Sequence, residues 1–212
     1  MIIDVFHDTA CPWCRIGKQH LKLAIEQWTG EPITVRYHTF FLNDRIRPEG
    51  EPFVPYMMAK GGGQVPLEFF FDAPRRAGAN VGLAFNFEAI QYAPNTLLSH
   101  RLIALTPPER EEQMIDALYQ AYFQDGRNIG DLDELVRIAA ENGFEADEIR
   151  ALLLSDEAQD EVIAAAQMAG QLGVTGVPFF VFNNALAFSG AQPPETILRV
   201  MQQALDFQLQ AK

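Results

Sequence analysis

Strand-forming sequence is confined to the two ends of this chain, separated by a long stretch that carries only helical periodicity, from about Pro52 to Met168. At the N-terminal end, Ile2 to His7 is rich in β-formers, and Leu21, Ile25 and Trp28 then fall at helical spacing within Cys11 to Trp28. Thr29-Gly30-Glu31-Pro32 stops that helix. Ile33 to Leu42 reads as a second strand, with Val35, Tyr37 and Thr39 on one face and Arg36, His38 and Phe40 on the other. A β-α-β opening favours parallel strands joined by a right-handed crossover. The strand signal returns at Val177-Pro178-Phe179-Phe180-Val181-Phe182, turns at Asn183-Asn184, and continues through Leu186-Ala187-Phe188. Pro193-Pro194 then starts a helix with Ile197, Val200, Met201, Ala204, Leu205 and Leu209 on one face. The expected fold class is α/β, a βαβ…ββα arrangement interrupted by an all-helical insertion.

The middle is punctuated like a run of helices. Pro66 opens one after the loose Gly61-Gly62-Gly63 turn, and Asn95 caps another that ends before Thr106-Pro107-Pro108. Pro108 begins the segment carrying Ile115, Leu118 and Tyr122, and Asp131 with Glu134 forms a capping box before Leu135, Ile138 and Ala139. A last helix covers about Glu157 to Leu172, with Gly173 as its left-handed stop. The expected division is residues 1–48 with 172–212 as one discontinuous domain, and 49–171 as the insertion. Phe69, Phe70, Phe71, Phe85 and Phe87 are read as core of that insertion rather than as a peptide groove, since exposed patches of that size are unusual.

The chain has two cysteines, and they stand two residues apart in Cys11-Pro12-Trp13-Cys14, at the junction of the first strand and its helix. That spacing lets the sulfurs close a disulfide, while the first sits where backbone N–H groups and the helix dipole favour a thiolate. Pro12 suits a first helical turn, where its missing N–H has no partner to lose. A metal is the rival use of the pair. A zinc site normally takes four ligands, and His7, His20, His38 and His100 are not paired at ligand spacing. An iron-sulfur cluster shared between two subunits has nothing in its favour, so no metal and no bound cofactor are expected.

With 16 basic against 28 acidic residues and a net charge of -12, the chain lacks the basic footprint of a nucleic-acid binder. No apolar run is long enough to span a membrane, and Met1-Ile2-Ile3-Asp4-Val5-Phe6 has no leader character. A cytoplasmic protein is the simplest expectation, and in that setting a lone cysteine pair is catalytic or metal-binding rather than structural.

Three segments together resemble the DsbA-like oxidoreductases of the thioredoxin superfamily, specifically the FrnE-like group. They are Cys11-Pro12-Trp13-Cys14 with Ile16-Gly17-Lys18, then Gly173-Val174-Thr175-Gly176-Val177-Pro178-Phe179-Phe180, and Ser189-Gly190-Ala191-Gln192-Pro193. The resemblance implies a thioredoxin-like fold interrupted by a helical domain, with Pro178 cis and facing the dithiol. A proline there frees the backbone of Val177 for an extended substrate segment beside Cys11. Cys11 is then expected to attack and Cys14 to resolve, with Pro12, Trp13, Val177 and Pro178 shaping the site. Some FrnE-like proteins carry a further cysteine pair nearer the C-terminus, and this chain has none, so the resemblance implies that any electron source or sink is external.

The function this implies is thiol-disulfide exchange with protein, peptide or small-molecule thiols, glutathione among them as co-substrate. His7 is a candidate thiolate stabiliser or an ordinary strand-end histidine, and Asp4 a candidate proton relay for Cys14 or a surface carboxylate. The same split architecture resembles the 2-hydroxychromene-2-carboxylate isomerases and kappa-class glutathione transferases, a second reading. Those enzymes usually carry serine where Cys11 stands. A peptide-binding holdase with a redox switch is a third.

Overall fold

In the computed structural model, which describes residues 1–210, the chain divides into two compact units, Met1–Leu42 with Ala165–Lys212 and Asn43–Ala164. The first is built on a four-stranded sheet in which the strands lie in the order Thr34–Thr39, Ile2–His7, Phe179–Phe182, Leu186–Ser189. Its elements are β1 (Ile2–His7), α1 (Pro12–Gln27), β2 (Thr34–Thr39) and, after the insertion, β5 (Phe179–Phe182), β6 (Leu186–Ser189) and α9 (Pro194–Gln210). Strand β1 runs parallel to β2, with Ile2 opposite Thr34 and His7 opposite Thr39, and antiparallel to β5, with Asp4 opposite Val181. β5 and β6 form a hairpin whose turn residues Asn183 and Asn184 both have positive φ, as a tight two-residue connection requires.

Side-chain alternation in the strands divides this unit into two layers. Ile3 and Val5 of β1 join Leu21 and Ala24 of α1, Phe180 and Phe182 of β5, and Ile197, Met201 and Ala204 of α9 in one buried cluster. Phe6, on the other face of β1, packs with Ala169 and Val174, and Phe40, Phe179 and Val181 border that cluster. Burying Phe180 and Phe182 in full stabilises this unit by about 1.5–3 kcal/mol each. The end of α9 departs from its sequence pattern, since Leu209 is exposed rather than on the buried face.

The other unit comprises β3 (Glu51–Pro52), α2 (Phe53–Lys60), α3 (Leu67–Ala79), β4 (Tyr92–Ala93), α4 (Leu97–Ala104), α5 (Pro108–Phe123), α6 (Leu132–Glu141), α7 (Ala146–Leu154) and the start of α8 (Gln159–Gln171). It is helical with one exception, the two-residue antiparallel pairing of β3 with β4. Two residues are too short for strand alternation to register, which is why the sequence shows only helix there. The punctuation signals hold. Asp131 accepts the Glu134 N–H at 2.9 Å, Asn95 accepts the Leu97 N–H at 3.0 Å one position ahead of the cap, and Gly173 adopts φ +80° after α8. Phe71, Phe85 and Phe87 are buried, with stacked rings 4.6 Å apart for Phe71 and Phe87, whereas Phe69 is 74% exposed. Among the described residues no helix is long and apolar enough to cross a membrane.

Candidate active site

The site is assembled at the N-terminus of α1. Cys11 is its N-cap in extended conformation and Pro12 occupies the first turn, so the strand-to-helix turn is tight. The Cys14 N–H points at Cys11 Sγ from 3.3 Å, a sulfur doing what a serine or aspartate oxygen ordinarily does at an N-cap. Both cysteines are in the free thiol form and buried, Cys11 at 3% and Cys14 at 2% exposure. Trp13, between them in sequence, is exposed.

The second half of the site comes from the far end of the chain. The Val177–Pro178 peptide bond is cis, and Cys11 Sγ donates to the Val177 carbonyl at 3.7 Å. Two contacts tie this loop to the segment after Ser189 and that segment to α1. Gly190 N–H donates to the Pro178 carbonyl at 2.8 Å, and His20 Nδ1 of α1 pairs with the Gln192 carbonyl at 2.9 Å. Gly17 lets α1 approach closely, since a Cβ there would meet Pro178 Cγ at 2.9 Å.

The two sulfurs have different surroundings. Burial pushes the Cys14 thiol well above its ordinary value, the neighbouring Cys11 sulfur and the Asp8 charge push it further, and a hydrogen bond from the Asp8 backbone only partly offsets this. Cys14 is therefore a thiol that resists ionising while Cys11 remains beside it.

Asp8 was not singled out by its sequence position, yet it organises the turn. Its buried carboxylate accepts the Ala10 N–H at 2.9 Å and the Leu42 N–H at 2.6 Å, and its carbonyl accepts the Cys11 N–H at 3.0 Å. The only sequence hint is an Asp two residues before Ala10, the spacing of an Asx turn. Gly17 belongs to a motif and His20 to the histidines weighed as ligands, but the contacts they make are not legible in sequence, because their partners lie more than 150 positions away.

Asp4 and His7 lie on opposite faces of β1. Asp4 is gripped by Arg36 through two hydrogen bonds, at 2.7 and 2.8 Å, and by His38 Nε2 at 2.6 Å, on the sheet face that α8 covers and α1 does not. Burial raises its pKa, but the hydrogen bonds and charges of Arg36 and His38 outweigh this and leave it lowered. His7 is buried on the α1 side, its ring edge-on to Tyr37 at 5.6 Å. Among the described residues no group of three or more His, Cys, Asp or Glu is placed to hold a metal ion.

The sequence profile of the DSBA-like thioredoxin domain matches residues 2–202. The crystal structure of a probable DsbA oxidoreductase from Streptomyces coelicolor superposes with a TM-score of 0.89 at 33% identity, over 97% of this chain and 90% of that one. The uncharacterized protein YwbO of Bacillus subtilis is 25% identical over 190 residues, 87% of this chain and 88% of its own. The cytosolic disulfide reductase DsbM of Pseudomonas aeruginosa, solved with glutathione, shares the fold at a TM-score of 0.63 and 18% identity, over 99% of this chain and 100% of that one.

Proposed function

Because the chain belongs to the DSBA-like thioredoxin domain family, we propose that it exchanges thiols and disulfides through Cys11 and Cys14, with Cys11 as attacking sulfur and Cys14 as resolving sulfur. The observation that carries the assignment is their inequality. Both sulfurs are buried, but Cys11 caps the helix with an N–H aimed at its sulfur, whereas the Cys14 thiol is held protonated by burial and by its neighbours.

In the reducing direction Cys11 thiolate attacks one sulfur of a substrate disulfide, forming a Cys11–S bond and releasing the other sulfur as a thiolate that takes up a proton. Bonding of Cys11 into the mixed disulfide removes the negative sulfur that opposes ionisation of Cys14. Cys14 then gives up its proton and attacks Cys11 Sγ, the Cys11–substrate bond breaks, and the second substrate thiolate leaves. The substrate gains two electrons and the protein becomes a Cys11–Cys14 disulfide. Two glutathione thiols restore the dithiol by the same steps in reverse, becoming glutathione disulfide; starting from the oxidised protein, a substrate dithiol is oxidised instead. The Val177 carbonyl beside Cys11 and the exposed Trp13 ring supply the surface against which an extended substrate segment lies.

No bound cofactor takes part in this scheme, and glutathione enters as co-substrate. We set the reaction in the cytoplasm, as for the cytosolic reductase of the same fold. The glutathione-dependent isomerase reading is second, because those enzymes usually carry serine where Cys11 stands, and glutathione attacking a Cys11–Cys14 disulfide would be consumed in a mixed disulfide on Cys11 as Cys14 leaves as the thiol.

Cys14→Ser tests the assignment. Incubated with a disulfide-bonded peptide or glutathione disulfide, it should accumulate a covalent adduct on Cys11 by mass spectrometry. If Cys11→Ser exchanged disulfides as fast as the unaltered protein, the scheme would be wrong.

A further inference from the structure

We propose that the sheet face turned away from α1 carries a second binding site, separate from the dithiol, for a small carboxylate with an apolar body. A cavity of about 580 Å³ opens there, within the first unit of the fold and in the size range of small-molecule sites.

Strand register gives the cavity its polarity. Arg36, Asp4, Val181 and Ala187 are successive partners across β2, β1, β5 and β6, so one row of side chains runs from a charged end to an apolar end. The neighbouring row places His38 beside Phe6 and Phe179. Ala165, Met168 and Leu172, in and just after α8, form the opposite wall. Met168 is 59% and Leu172 67% exposed, apolar surface that the body of a ligand would cover.

The charged end selects the head group. Asp4 is already saturated, since Oδ1 accepts from Arg36 Nε and His38 Nε2 and Oδ2 accepts from Arg36 Nη2, which leaves little for a cation. A guanidinium has five N–H donors. Asp4 takes two of them from the Nε and Nη2 side, so the Nη1 and Nη2 end of Arg36 keeps a fork that matches a second carboxylate, and the side chain is 48% exposed. Arg36 thus links a buried carboxylate of the protein to a carboxylate from outside. Fatty and aromatic acids share this chemistry, a planar anionic head on an apolar body.

Isothermal titration of the full chain with decanoate, 1-naphthoate and decanol tests the site. At least one carboxylate should bind saturably with one molecule per chain, and decanol about tenfold or more weakly, the scale of one charge-assisted contact. Preference for decanoate marks a fatty acid and preference for naphthoate an aromatic one. Ala187→Phe, at an exposed position on the apolar floor, should abolish carboxylate binding, and Ala165→Phe does the same from the helix wall should the first fold poorly by circular dichroism. Arg36→Lys keeps a charge for Asp4 but loses the fork, so carboxylate affinity should fall while decanol affinity holds. No saturable binding of either acid at millimolar concentration, equal binding of decanol, or unchanged binding in both phenylalanine variants would overturn the proposal.

Discussion

Gly17 and Pro178 touch across the site: a Cβ on Gly17 would lie 2.9 Å from Pro178 Cγ and 3.1 Å from Phe180 Cζ. The first turns of α1, which carry the dithiol, and the loop that faces it are therefore held at a spacing set by the absence of one methyl group. Pro178 Cγ belongs to a ring tied to the backbone and cannot swing aside.

Gly17→Ala should consequently destabilise the protein despite the better helix propensity of alanine. The propensity gain is about 1 kcal/mol, and overpacking against a ring and a buried aromatic costs about 1–3 kcal/mol. Urea denaturation should show a lower midpoint, and Cys11 should exchange with glutathione disulfide at a changed rate because the Val177 carbonyl is displaced from it. An unchanged midpoint and rate would mean that the helix yields without cost.

Cys14 makes the stability of the reduced protein depend on alkaline pH. Its folded pKa is raised above the 9.0 of an unperturbed thiol, so as pH climbs past that value the unfolded chain releases the proton while the folded one keeps it. The stability is present below about 9 and lost as pH rises toward the folded pKa. Denaturation midpoints of the reduced protein should fall between pH 8 and pH 10 by more than those of Cys14→Ser.

Asp8 contributes both charge and hydrogen bonds to the turn. Asp8→Asn removes the negative charge that helps hold Cys14 protonated, so Cys14 should titrate at lower pH, measurable from its thiolate absorbance in Cys11→Ser. Asp8→Ala also leaves the N–H groups of Ala10 and Leu42 without their acceptor, and since both bonds are only part-buried the cost is that of ordinary hydrogen bonds, about 0.5–1.5 kcal/mol each. Thermal unfolding should rank the alanine variant below the asparagine one.

His100 makes the stability of the insertion sensitive to acid. Burial lowers its pKa from 6.5 to about 3, so the unfolded chain takes up a proton over that interval and the folded chain does not. Stability is lost as pH falls from 6.5 toward 3, by about 5 kcal/mol if His100 acts alone. His100→Gln should flatten the pH dependence between 6.5 and 4, read by guanidinium denaturation at each pH.

The thioredoxin-like frame was legible because its signals are local. Ile2 to His7, the proline-started helix at Cys11 and the Asn183-Asn184 turn each announce themselves within a few residues, and the parallel pairing of β1 with β2 follows from the crossover rule. The two-residue pairing of Glu51-Pro52 with Tyr92-Ala93 left no trace, because periodicity needs length. Among the phenylalanines, composition pointed to a core, and Phe71, Phe85 and Phe87 form one while Phe69 does not.

Local chemistry, then, was written in the chain itself: two thiols at the start of a helix, a Val-Pro loop, strands at both ends and helices between. The environment of those thiols was settled by folding, through contacts between residues far apart in sequence. Gly17 against Pro178, Gly190 beneath it, His20 on Gln192, and the pairing of Asp4 with Arg36 and His38 away from the dithiol all depend on which faces meet. Burial and electrostatic fields are sums over such neighbours, and they add to the N-cap position of Cys11 in the tetrapeptide a raised pKa at Cys14.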